Sequence, residues 1–211
     1  ELVAPFEKPS RADTVLSAVK KSGIGRVEEP ESFSLDPVLR IHDAGFVSFL
    51  ETAWAEWSKT GYSGEAVASV WPARRMQCRA PRFIEGKLGY YALAAETTIT
   101  EGTWEAALAS KDVALTGAKM LHGGEQGVFS LCRPPGHHAA RDMFGGYCFL
   151  NNAAIATQYL RDQGADRVAI LDVDFHHGNG TQDIFYERDD VLFCSLDRKS
   201  TRLNSSHQII S

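Results

Sequence analysis

Val168-Ala-Ile-Leu-Asp172-Val-Asp174-Phe-His176-His177-Gly-Asn179-Gly180 joins a short apolar run to a cluster of carboxylates, imidazoles and glycines. A run of this kind suits a strand buried on both faces of a parallel sheet, where no polar face has to alternate with the apolar one. Residues 128–131 (Val-Phe-Ser-Leu) and 191–196 (Val-Leu-Phe-Cys-Ser-Leu) share the character. Residues 152–163 read as a crossover helix between the first two runs, and residues 178–188 supply another connection. The repeated strand–helix order predicts an α/β fold with a doubly wound parallel sheet. Ligands in such folds gather beyond the carboxyl ends of the strands. His137, His138, Asp174 and His176 all fall there.

Nearer the N-terminus, Phe46, Phe49, Leu50, Ala53, Trp54 and Trp57 recur at helical spacing and predict a core-facing helix. Residues 12–21 read as a short helix closed by Gly23. Residues 58–86 mix Gly, Pro, Arg and aromatics without a period, which predicts a long loop of the kind that often carries function. Helical patterns resume over residues 88–97 and 104–121.

The chain has 211 residues, 44% hydrophobic and 23% charged, enough for one α/β domain with a sizeable core. No apolar run approaches the ~20 residues of a membrane helix, and no signal peptide is visible, so a cytoplasmic protein without a membrane partner is expected. The start at Glu1 without Met predicts that the true N-terminus is missing. Cys78, Cys132, Cys148 and Cys194 are widely spaced and read as reduced, mostly buried thiols. A net charge of −5 disfavours nucleic acid and suits small cationic partners.

Asp174 and His176 stand two apart, a spacing that at a strand end puts both side chains on one side. A carboxylate and an imidazole suit zinc, whose catalytic sites use three protein ligands and leave one position open, so a third ligand must come from elsewhere. Asp172, one pleat further back, is placed to orient an imidazole or to hold a cation through its oxygens. His137-His138 follows the rigid Arg133-Pro-Pro-Gly136 turn. An imidazole there can accept a proton from a zinc-activated water, a combination suited to attack on a carbonyl. His42 reads as structural, His122 as surface, and the cysteines as packing residues.

Arg133-Pro-Pro-Gly-His-His-Ala139, Phe144-Gly-Gly-Tyr-Cys-Phe-Leu-Asn-Asn-Ala153 and Leu171-Asp-Val-Asp-Phe-His-His-Gly-Asn-Gly-Thr-Gln182 resemble the histone deacetylase superfamily, with bacterial acetylpolyamine amidohydrolases as its nearest branch. The resemblance runs over residues 1–196 and implies an arginase/deacetylase-like fold and zinc-dependent removal of acetyl groups from acetylated polyamines. The same chemistry on acetyl-lysine proteins or other acylated amines is the alternative. It implies Asp174 and His176 as zinc ligands, His138 as general base and acid, and His137 as its electrostatic assistant. Asp172 would be the partner of His137, and Asn179 sits where some relatives carry Asp and others Asn. Gly146 and Tyr147 would wall the acyl-amine tunnel, with Glu85, in the long loop at the mouth, and Glu96 as candidates for holding the ammonium groups. One structural potassium site would use Asp172, Asp174, His176, Ser195 and Leu196, and a second Phe185, Arg188 and Val191. A homodimer is implied as well. The tandem histidines favour this single-zinc chemistry over a binuclear manganese hydrolase of the arginase kind, for which Asp-x-His-x-Asp would be expected. A catalytically dead binding module is the third reading.

The resemblance stops after Leu196. Asp197-Arg-Lys-Ser-Thr-Arg-Leu-Asn-Ser-Ser-His207 reads as one translated frame of a common short-read sequencing adapter. Residues 1–196 are therefore expected to be the N-terminal part of a single deacetylase domain, and residues 197–211 a non-native tail. On this expectation the sheet is incomplete. The third zinc ligand, an Asp in relatives, and a Tyr that would hold the oxyanion lie downstream, and the 211-residue chain is inactive.

Overall fold

Asp43 ends one chain direction and starts the next: its Oδ1 accepts from the backbone N–H groups of Gly45 and Phe46 and caps helix α3, Ala44–Ser58. The computed structural model, which describes residues 8–73 and 77–196, places two helices before it, α1 (Pro9–Ser22) and α2 (Asp36–Leu39). Gly23 closes α1 in the left-handed conformation, as its position after Lys20 and Lys21 predicts. After α3 come α4 (Ile84–Tyr91), α5 (Thr103–His122), α6 (Asn152–Asp162), β1 (Val168–Asp172), α7 (Asn179–Phe185) and β2 (Val191–Ser195). The adapter-like tail lies outside the described residues.

The core collects Phe46, Phe49 and Leu50 from α3, Leu88 from α4, Leu115 from α5 and Ile155 from α6. Phe144, Phe149 and Leu150 join it from the segment after the paired histidines. Phe49 stacks on Tyr91 at 4.7 Å and on Phe144 at 6.0 Å, and Phe144 stacks on Phe149 at 5.8 Å. This aromatic row anchors the segment after the paired histidines to the N-terminal helices.

β1 and β2 pair in parallel, with Val168 opposite Val191 and Asp172 opposite Ser195. α6 leads into β1 and α7 connects it to β2, so the strand–helix alternation holds. The expected burial on both faces does not. Leu171 and Leu192 are 65% and 63% exposed, because among the described residues nothing covers that side of the pair. Residues 128–131 also fail to form a strand, for they have no ladder partner among the described residues. Instead Ser130 donates to the carbonyl of Val113 and lies against α5.

Three further expectations change. The helix expected over residues 88–97 starts earlier and ends at Tyr91. Every residue of Thr97-Thr98-Ile99-Thr100 is β-branched, and Ile99 pairs with Ala66 in an isolated antiparallel bridge. The same early start puts Glu85 in the first turn of α4 rather than in the long loop. Of the four free cysteines, Cys78 and Cys194 are exposed rather than buried, Cys194 because it stands on the uncovered face of β2. Among the described residues no helix is long and apolar enough to cross a membrane.

Candidate active site

Two successive turns carry the chain out of β1. The Asp172 Oδ1 accepts from the Asp174 N–H at 3.1 Å, and the Asp174 Oδ1 accepts from the His176 N–H at 2.8 Å. Each is a short Asp side chain closing a turn on the backbone two residues ahead. Asp174 and His176 therefore share a side through these turns, not through the strand pleat, since β1 ends at Asp172. The result places Asp174 Oδ1 and His176 Nδ1 3.4 Å apart, both half-exposed.

The paired histidines are brought to the same place from a different part of the chain. The first N–H groups of α7, from Gly180 and Thr181, donate to the His137 carbonyl at 3.0 and 3.1 Å. Gly180 permits this approach, because a Cβ there would overlap the backbone of His138 and Ala139. His137 Nδ1 donates to Asp172 Oδ2 at 2.8 Å, and His138 Nδ1 donates to Asn179 Oδ1 at 2.5 Å. Each ring thus has its proton on Nδ1 and turns Nε2 outward. The two ring centroids are 4.1 Å apart, and His138 lies 6.0 Å from His176. His137 Nε2 stands 3.9 Å from Asp174 Oδ1.

Burial lowers the His138 pKa below its ordinary value; the Asn179 bond opposes this, while His137 and His176 reinforce it. Its Nε2 is therefore a neutral acceptor near pH 7. Burial alone would raise Asp172, but the bonds from His137 and the Asp174 N–H outweigh it and hold the carboxylate below its usual range. Burial also pushes the Cys148 thiol up to about 12, so it stays protonated beside the histidines.

A tetrahedral zinc with ligand bonds of about 2.1 Å separates its donor atoms by roughly 3.4 Å. The Asp174–His176 separation fits that edge, and the donor types fit the metal. Among the described residues no group of three or more His, Cys, Asp or Glu is arranged to hold a metal. Asp174 and His176 thus stand as two donors without a third among the described residues. The residues expected at the first potassium site also converge: Asp172 and Ser195 face each other across the strand ends, and Leu196 N–H donates to the Asp172 carbonyl. Phe185, Arg188 and Val191 sit together between the end of α7 and the start of β2, where Arg188 N–H donates to the Phe185 carbonyl.

Gly146 and Tyr147 form a turn against His138, and Glu96 reaches it through a 3.3 Å bond from the Gly146 N–H. The Glu85 side chain has no hydrogen-bond or ion-pair partner among the described residues, and no contact joins it to this cluster. His42 is structural, as expected, but its position had no signal in the sequence. It is 2% exposed, donates through Nδ1 to the Ala140 carbonyl at 2.9 Å, and accepts at Nε2 from the Asn151 N–H at 2.9 Å. Asn151, fully buried, then donates to the Ala139 carbonyl and to Thr181 at 3.0 Å each. The two residues fasten the segment immediately after His138. Only the polar Asn151-Asn152 pair in apolar surroundings hints at this in the sequence.

An α/β scaffold with parallel strands, whose paired imidazoles meet the carboxylates and imidazole at the end of β1, is of the arginase/deacetylase-like class. Within that class the chain belongs to the histone deacetylase domain family, whose model matches residues 5–203. It is 60% identical to the acetylpolyamine amidohydrolase of Mycoplana ramosa over 196 residues, which is 93% of this chain and 58% of that protein. It is 58% identical to acetylpolyamine amidohydrolase 2 of Pseudomonas aeruginosa over 191 residues, 90% of this chain and 56% of the relative. The crystal structure of acetylpolyamine aminohydrolase from Burkholderia pseudomallei superposes with a TM-score of 0.86 at 39% identity, covering 92% of this chain and 56% of that one. The chain thus spans little more than half the length of these relatives.

Proposed function

We propose that residues 1–196 are the N-terminal part of a single deacetylase domain, and that the full-length protein is a zinc-dependent amidohydrolase that removes acetyl groups from acetylated polyamines. The observation that carries this is the pair of Nδ1-anchored imidazoles, His137 on Asp172 and His138 on Asn179, beside two zinc-type donors 3.4 Å apart. The names of the relatives, acetylpolyamine amidohydrolases at 58–60% identity, support the choice of substrate.

Asp174 and His176 would hold the zinc, with a third ligand from beyond Leu196. When bound, the metal supplies Lewis-acid polarisation of the acetyl carbonyl and a more acidic water. His138 Nε2 takes the proton of the attacking water and returns it to the departing amine nitrogen. Its lowered pKa keeps it ready to accept. His137, tied to the ionised Asp172, steadies the positive charge that His138 gains. Gly146 and Tyr147 wall the path of the acyl-amine chain, and Glu96 and Glu85 attract its ammonium groups. Potassium at the two carbonyl-rich sites, a homodimeric assembly and a cytoplasmic setting complete the proposal.

Parallel assays of the full-length protein on acetylputrescine and an acetyl-lysine peptide, with metal counted per subunit, test it. One zinc and a clear preference for acetylputrescine are expected. Preference for the peptide would move the protein to the acetyl-lysine reading, two manganese ions to the arginase-like one, and no turnover of either to a binding module. Residues 197–211 are proposed to be translated adapter. Their recovery from intact genomic DNA would refute that.

A further inference from the structure

The turn against His138 is held in a conformation that its own sequence does not prefer. Gly145 and Cys148 exchange backbone hydrogen bonds of 3.0 and 2.9 Å, which makes Gly146 and Tyr147 the central residues of a two-residue hairpin turn. Their φ values are 54° and 64°, both left-handed, the signature of a type I′ turn. Tyr147 is the one non-glycine residue with positive φ among the described residues. A side chain with a Cβ is disfavoured there. Gly followed by a large residue suits type II′ instead, in which the glycine alone takes positive φ. The two types differ by a flip of the peptide between the central residues, which turns the Tyr147 N–H to the opposite face of the turn.

That N–H is bound. It donates at 2.9 Å to the hydroxyl of Thr97, a side chain only 2% exposed. The adjacent Gly146 N–H reaches Glu96. On the other side of the same segment, Thr98 donates to Glu65 at 2.6 Å and Ile99 pairs with Ala66, tying it to the long loop. The acceptor is therefore fixed from behind. Gly146 packs so closely on His138 that a Cβ would overlap the ring, so the turn cannot retreat toward the imidazole.

We propose that Thr97 is a positioning residue whose hydroxyl selects the type I′ form and so sets where the Tyr147 ring stands in the tunnel wall. The tunnel role of Tyr147 rests on the proposed function; the choice of turn by Thr97 does not. In the Thr97→Val variant of the full-length protein, which keeps the side-chain shape, the Tyr147 peptide loses its acceptor and flips. Thr97→Ser keeps the acceptor. A wall residue binds the chain equally before and during reaction, so its displacement raises KM more than it lowers kcat.

Amide hydrogen exchange at Tyr147, read by NMR, reports the latch whether or not the protein turns over acetylated amines. Thr97→Val is expected to speed that exchange by about tenfold or more, the loss expected of one buried hydrogen bond. It is also expected to raise KM for acetylputrescine severalfold with kcat little changed, and Thr97→Ser is expected to restore both. Unchanged Tyr147 exchange in Thr97→Val would overturn the latch. Equal KM increases in the Val and Ser variants would overturn its role in the wall. Absence of turnover in the unsubstituted protein would overturn the proposed function and leave the exchange result to decide the latch.

Discussion

Acidification will loosen the segment that carries His137 and His138 through one buried imidazole, His42. Its Nδ1 faces the carbonyls of Ala140 and Arg141, so it must donate, and its Nε2 faces the Asn151 N–H, so it must accept. Both demands are met only by the neutral ring; a second proton would set N–H against N–H. Burial lowers its pKa from 6.5 to about 4, with the two carbonyls opposing and Arg141 reinforcing the shift. The unfolded chain therefore binds this proton more tightly than the folded one. The stability His42 contributes is whole above about pH 6.5 and is lost as pH falls through about 4. The gap corresponds to on the order of 3 kcal/mol. Denaturant unfolding of the full-length protein at several pH values from 7.5 to 4 is the assay, with His42→Gln as the comparison. The variant is expected to be less stable at pH 7.5 by about 1–3 kcal/mol, from lost buried bonds. Its stability should then fall less steeply between pH 6.5 and 4. If both proteins lose stability in parallel over that range, His42 does not titrate as the geometry requires and the reasoning fails.

On the proposed function, His138→Ala in the full-length protein removes the proton carrier and is expected to lower kcat by about 10²- to 10⁴-fold with metal content unchanged; a drop of less than tenfold, read from steady-state kinetics, would shift the role to His137. Asp174→Ala removes one of the two proposed zinc donors, so metal analysis of the purified full-length variant is expected to show well under one zinc per subunit. Gly180→Ala forces a Cβ into the His138–Ala139 backbone and is expected to cost about 1–3 kcal/mol in denaturant unfolding. The 211-residue chain by itself should show no turnover of acetylputrescine and should scatter light at micromolar concentration, since Leu171, Leu192 and Phe129 are each more than 60% exposed.

Local patterns were enough for the elements whose signals are local. The apolar stripe from Phe46 to Trp57 became α3, and the runs at 168 and 191 became β1 and β2 in parallel register. Residues 128–131 had the same composition and formed no strand, because a strand exists only with a partner, which composition does not supply. The Asp174–His176 spacing pointed to a shared side for the wrong reason. The pleat ends at Asp172, and the alignment comes from two turns closed by Asp side chains.

By itself the sequence singled out the candidate groups of this protein, which imidazoles, which carboxylates and in what order, since the motifs holding them are contiguous. Only the tertiary structure decided how those groups are held. The anchoring of His138 by Asn179, the burial of His42 under the segment after the paired histidines, and the contact of Thr97 with the turn at Gly146 and Tyr147 each join residues 40 to 110 positions apart. Contacts of that kind depend on how the segments pack together, and no periodicity along the chain records them.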